Sequence, residues 1–204
     1  QLKYFNQETI DVNINPNPQD GTVDIEYIVE ETSTDQLELS GGWGLGTIVG
    51  TLGVSFNNFA IQDFFKGSAW KPVPSGKGQT LALRAQSNGT YFQAYNLSFT
   101  EPWLGGKKPN ALSFGLYHSV QTNGVKKKED GVELESGQIQ TRQHIKISGV
   151  SVGLGRRLKW PDDYFIGYAN LGYQHYDVKD YGSAFAFSTG YSNNFSGTLS
   201  ISRN

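Results

Sequence analysis

Leu81-Ala-Leu-Arg-Ala-Gln-Ser-Asn88-Gly89-Thr-Tyr91-Phe-Gln-Ala-Tyr-Asn-Leu-Ser-Phe99-Thr100 is the stretch whose reading decides the fold. Both arms alternate with period two, the signature of a strand with two unlike faces. Leu81, Leu83 and Ala85 oppose Thr80, Arg84 and Gln86, while Tyr91, Gln93, Tyr95, Leu97 and Phe99 oppose Ala94, Asn96, Ser98 and Thr100. Asn88-Gly89 between the arms predicts a two-residue hairpin turn, because both residues tolerate positive φ. The non-apolar face is small and neutral rather than charged. That suits a strand with lipid on one side and a wet lumen on the other.

The same grammar extends outward. Leu37, Leu39, Gly41 and Trp43 share one face against Gln36, Glu38 and Ser40, and Ile48, Gly50, Leu52, Val54 and Phe56 share one against Thr47, Val49, Thr51, Gly53 and Ser55. Further strands are predicted at Leu112–Leu116, Val150–Leu154, Tyr164–Tyr176 and Phe195–Ile201, about eight in all. Ile145 and Ile147 run out of phase with Val150. Either a bulge near Ser148-Gly149 or a strand projecting beyond the membrane accounts for that. A soluble β-sandwich also alternates, but its outer face carries charge. Aromatic residues near strand ends (Trp43, Phe56, Phe99, Trp103, Trp160, Tyr176) fit an interfacial girdle instead.

Residues 9–31 differ. Thr9–Ile14 and Thr22–Glu31 alternate around the turn-rich Asn15-Pro-Asn-Pro-Gln-Asp-Gly21, and the outer positions are charged. This predicts a hairpin from a soluble α+β module, incomplete because two strands cannot bury a core. Residues 1–32 and 33–204 are therefore assigned to separate domains.

Composition narrows the classes. The chain has 204 residues with 25 Gly, 13 % aromatic, 18 % charged, no Cys and no Met. Charge is low and Gly high for a soluble enzyme. The lack of Met implies that Gln1 follows processing or truncation. No run of about 18 apolar residues predicts a transmembrane helix, whereas barrel strands need only about 9–11 alternating residues each. A net charge of −2 argues against nucleic acid as a partner. His118, His144 and His175 lack metal spacing, and no Ser/His/Asp order, phosphate loop or acid pair is present. Neither an enzyme nor a metal or cofactor is expected. The Asn88, Asn96 and Asn194 sequons bear weakly on a bacterial barrel.

Links 43–46 and 87–90 are tight, links 121–142 and 177–192 are long and polar, and links 57–78, 100–110 and 157–163 fall at the opposite end of an up-and-down meander. Outer-membrane barrels keep longer loops outside. With the N-terminal hairpin in the periplasm, the two long polar links lie outside, although link 57–78 is longer than the rule expects.

Thr22–Glu31 followed by Leu37-Glu-Leu-Ser-Gly-Gly-Trp-Gly44 resembles the junction in the BamA family between the last periplasmic polypeptide-transport-associated (POTRA) domain and the first barrel strand. Ser55–Phe59, Trp70-Lys-Pro-Val-Pro74 and Phe99-Thr-Glu-Pro-Trp-Leu-Gly-Gly106 are similar to the Bacteroidetes branch of that family, and Leu199–Asn204 resembles the strand before the barrel's middle. The resemblance covers essentially the whole chain. It implies an all-β transmembrane antiparallel barrel, about the first eight of sixteen strands, preceded by part of an α+β POTRA domain. Half a barrel leaves two unpaired edges in lipid, so the functional protein is expected to be longer. The family's Arg-Gly-aromatic loop belongs to the half that this chain does not hold.

The resemblance further implies an insertase that folds β-barrel proteins into the bacterial outer membrane. Its first strand, Asp35–Gly44, pairs poorly with the last, and that seam accepts an incoming strand by β-augmentation. Gln36, Leu37, Glu38, Leu39, Ser40, Gly41 and Gly42 are the candidate pairing residues. The Gly cluster equally fits a tight turn to the next strand. Phe59, Ile61, Phe64, Phe65 and Trp70 are candidates for an interfacial segment, read either as a short amphipathic helix or as a buried plug. Lys126–Asp130 reads as a solvated loop. Expected partners are unfolded outer-membrane proteins, other assembly subunits (lipoproteins or family-specific barrels) and outer-membrane lipids. A two-partner-secretion or autotransporter-assembly pore and a passive channel are the alternative functions.

Overall fold

The computed structural model describes residues 8–17, 19–30, 35–44, 47–106, 110–125, 132–133, 138–160, 162–181 and 187–203. The chain divides into two compact units, Gln1–Asp35 and Gln36–Asn204. In the first, β1 (Asp11–Asn17) and β2 (Thr22–Ile28) form an antiparallel hairpin with Val12 opposite Tyr27 and Ile14 opposite Ile25. Asp20 closes its turn, accepting hydrogen bonds from the Thr22 amide and hydroxyl and from the Asn17 side chain. The Thr22 bonds hold the Asp20 carboxyl below the usual carboxylate range. Ile14, Val23, Ile25 and Tyr27 are exposed, and among the described residues the two strands bury no core.

The second unit is one antiparallel meander. Its strands are β3 (Gln36–Gly44), β4 (Thr47–Phe59), β5 (Gln79–Asn88), β6 (Phe92–Glu101) and β7 (Asn110–Thr122), then β10 (His144–Arg157), β11 (Phe165–Lys179) and β12 (Gly190–Arg203). They pair in that order. A minor ladder, β8 (Val132–Glu133) with β9 (Ile139–Gln140), lies inside the long link from β7 to β10. Residues 126–130, expected as a solvated loop, lie outside the described residues.

The register explains why these sequences make one sheet. Paired residues share a face. Leu37, Val54, Leu83, Leu97, Leu116, Val150, Tyr173 and Phe195 form one unbroken row across all eight strands. The adjacent row, on the opposite face, is Gln36, Ser55, Ala82, Ser98, Gly115, Ser151, Gly172 and Ser196. One face is thus apolar and the other small and polar, strand after strand.

One local expectation needs correction, and one open alternative is decided. Asn88 pairs with Phe92, so the β5–β6 link has three residues, Gly89–Tyr91, not two, and only Gly89 takes a positive φ (55°). The reason lies on the neighbouring strand. Thr122 donates its amide to the Tyr91 carbonyl and its hydroxyl to the Thr90 carbonyl, drawing the link onto β7. The phase change before Val150 involves no bulge, because β10 keeps a continuous register with β7 and β11 from His144 to Arg156. Ile145 and Ile147 instead face the polar side, where Ile145 is buried opposite Val178. The register shift lies in β4, between Phe56 and Phe59.

Candidate functional site

β3 is one edge of the sheet: it pairs with β4 and, among the described residues, with nothing on its other side. Leu37, Leu39 and Trp43 project from the apolar face and are exposed. Its two halves are bound differently. Leu37 and Leu39 stand opposite Val54 and Leu52, whereas Gly41 stands opposite Gly50 and Gly42 opposite Val49. A Cβ placed on Gly50 would lie 2.9 Å from the Ser40 carbonyl oxygen, so only glycine admits this backbone approach.

On the polar face Glu38, Gly53 and Arg84 occupy one row of β3, β4 and β5. The Arg84 guanidinium donates to Glu38 Oε1 at 3.0 Å, spanning the intervening strand. Gly53 makes room: a Cβ there would lie 3.2 Å from Glu38 Oε2 and 3.8 Å from the Arg84 Cγ. Both charged side chains are about half exposed, so the pair orients the strand more than it stabilises it.

The link from β4 to β5 is where the aromatic candidates lie. It forms two 3-10 turns, Ile61–Asp63 and Gly67–Ala69, in place of the amphipathic helix. Gly67 and Ser68 break the run, and the Trp70 ring folds back so that its Nε1 donates to the Phe64 carbonyl at 2.9 Å. Phe64 sits edge-on to Phe59, Phe65 and Trp70. Exposure divides the set: Phe59 is 3 % exposed and anchors the cluster from within, whereas Phe65 is 94 % exposed. Ile61, Phe64 and Trp70 are also exposed. Lys66 donates to Asp63 at 2.6 Å and holds its carboxyl below the usual range.

Sequence reasoning missed the residue that fastens this link. Gln79, at the start of β5, is 1 % exposed; its Oε1 accepts from the Ile61 amide at 2.7 Å and its Nε2 donates to Glu101 Oε2 at 2.6 Å. Glu101 Oε1 in turn accepts from the Trp103 amide at 2.9 Å, so two neighbouring links share one network. Asn58 adds its carbonyl to Gly76 and its side-chain oxygen to Gly78. The only signal was the polar Asn57-Asn58 pair, which interrupts the alternation near the end of β4.

The apolar face has one polar margin. His118 Nδ1 lies 2.9 Å from Ser148 Oγ, and Asn193 Oδ1 lies 2.8 Å from His175 Nδ1 and 3.0 Å from the Tyr173 hydroxyl. His118, Ser148, Tyr173 and His175, with Tyr95, border a hollow of about 690 Å³ whose floor is Leu52, Val54, Leu83, Leu97, Leu116 and Val150. No carboxylate is hydrogen-bonded to His118 among the described residues, so the Ser–His contact lacks the third group of a nucleophilic triad. No group of three potential metal ligands gathers among the described residues.

The apolar band also runs obliquely. On β4 it spans Ile48–Phe56, centred on Leu52; on β12 it spans Phe195–Ile201. Followed through the registers, the row of Leu52 arrives on β12 at Asn193, about five residues from the band's centre. That is about 17 Å along the strand over about 29 Å of sheet, a tilt of about 30°. Membrane barrels tilt their strands about 35–45°, and a flat lipid layer demands such drift.

The Omp85 superfamily domain matches residues 75–204. Among solved structures the chain is similar to the crystal structure of BamA from Haemophilus ducreyi lacking POTRA domains 1-3, with a TM-score of 0.53, 21 % identity, and coverage of 97 % of this chain and 34 % of that one. At that identity the likeness is one of fold, and the chain spans about a third of that protein. No curated protein matches the chain.

Proposed function

The chain belongs to the Omp85 superfamily of outer-membrane β-barrels, and from that premise we propose that it is the first half of an insertase barrel whose opening strand, β3, accepts the terminal strand of an incoming barrel protein. The observation that carries this reading is the makeup of β3, which is glycine-rich in its second half and meets β4 at Gly41–Gly50 with no side chain on either strand. A free edge offers a row of main-chain donors and acceptors, and augmentation uses these without regard to the partner's sequence. In this reading Gln36–Gly42 supply the pairing row, and Leu37 and Leu39 meet the apolar side chains of the incoming strand. The hairpin β1–β2 lies in the periplasm as the end of a POTRA domain. Phe65 and Trp70 rest in the lipid interface. Unfolded outer-membrane proteins, accessory assembly subunits and outer-membrane lipids are the partners.

The test is depletion of the full-length protein. Unrelated outer-membrane proteins should fall together; if only one secreted partner is lost, the barrel is a translocation pore instead. Cysteines in place of Leu37 or Leu39 should crosslink to the terminal strands of substrates. Crosslinks confined to the barrel's own last strand would count against acceptance at β3.

A further inference from the structure

We infer that β3 is a strand of two unlike halves, with Gln36–Leu39 held as a fixed accepting edge by the Glu38–Arg84 strap and Ser40–Gly44 held to β4 by main-chain pairing with little side-chain support. The inference rests on the reading of β3 as the accepting strand and assigns Glu38 and Arg84 as positioning residues within it.

Three features on one strand support it. The strap skips a strand: Arg84 lies on β5, so its bond to Glu38 ties β3 to the second strand inward and resists rotation of β3 about its pairing with β4. Gly53 beneath it leaves the space through which the two side chains meet. Beyond Leu39 the character changes at once. Gly41 faces Gly50 with no side chain on either strand, and Gly42 faces Val49. Cross-strand side-chain pairs are the unit of sheet stability, and at Gly41 and Gly42 that unit is missing. The Trp43–Ile48 pair at the tip is largely exposed. Between the halves, the close approach of Ser40 to Gly50 gives a pivot that no larger residue permits.

An accepting strand has two conflicting requirements. It must hold its register to the barrel while the seam opens, and it must move enough to admit a new neighbour. The division at Ser40 meets both. The N-terminal half keeps the register, and the glycine half, tethered to β4 at its turn, yields.

Segment-resolved hydrogen exchange on the full-length protein in lipid nanodiscs tests this without any substrate. Ser40–Gly44 should exchange well ahead of Gln36–Leu39. Either E38Q or R84Q should speed exchange of Gln36–Leu39 by roughly twofold to fivefold, leaving β7 and β10 unchanged. The swapped pair E38R/R84E should return it to the wild-type rate. Equal exchange of the two halves in the wild type, or no recovery in the swap, would overturn the inference. Failure of the insertase reading would appear in depletion and crosslinking, and would leave the exchange pattern intact.

Discussion

Gln79 shows what a single buried polar group does in a sheet that is otherwise solvated on one side and apolar on the other. Its amide satisfies the Ile61 N–H and the Glu101 carboxylate together, so it ties the β4–β5 link to the turn after β6. Truncation to alanine leaves both partners without this bond in a part-buried site. Gln79→Ala should cost about 1–3 kcal/mol, read as a lower denaturant midpoint for the full-length barrel in micelles. Gln79→Glu should not restore stability, because it sets a second carboxylate against Glu101. An unchanged midpoint for the alanine variant would mean the network is not closed. Beyond the Asn57-Asn58 pair little of this was legible beforehand, since a Gln opening a strand has the same local pattern whether it faces water or a folded link. The aromatic set was legible only in part. Its clustering followed from spacing, but the division into a buried Phe59 and a bare Phe65 depends on the fold-back of Trp70.

At the scale of elements the sequence was far more informative, because period-two alternation is a purely local consequence of strand geometry. The strands of the main sheet follow from it, and so does the contrast between their faces. What alternation does not fix is which of two local devices resolves a conflict. Ile145 and Ile147 break phase with Val150, and a bulge was as good an answer as a strand outrunning the membrane. The unbroken register of β10 favours the second: beyond the apolar band the polar face turns inward and holds its own small core, with Ile145 against Val178. This gives an ordering of mutations on one strand. Ile145→Ala empties a packed site and should cost about 2–5 kcal/mol. Val152→Ala, on the half-exposed apolar face, should cost less, because lipid chains close over the lost methyl groups. Unfolding of the two variants side by side checks the order, and a reversal would mean that the end of β10 is not packed as described. The turn at Asn88-Gly89 failed for a related reason: its length was set by Thr122 on a strand more than thirty residues away in sequence.

For the whole molecule the informative quantity is the drift of the apolar band against the hydrogen-bond rows. A soluble sandwich has no reason to shift its apolar positions steadily from strand to strand, since its partner sheet follows the same twist. A bilayer is flat, so strands that cross it at an angle must move their apolar positions along the chain to keep them at constant depth. Leu52 and Asn193 share a row, yet one lies at the band's centre and the other at its polar margin among His175 and Tyr173. Leu199, in a different row, sits near the centre again. Depth in the membrane should therefore follow the band and not the row. Single cysteine labels at Leu52 and Leu199 in the full-length protein should be quenched equally by lipids carrying a quencher deep in the acyl chain. A label at Asn193 should respond instead to a headgroup quencher, about 15 Å nearer the surface. Equal depth for Leu52 and Asn193 would put the rows parallel to the membrane plane. That would remove the strand tilt, and with it the geometry by which a sheet of this kind curves toward closure.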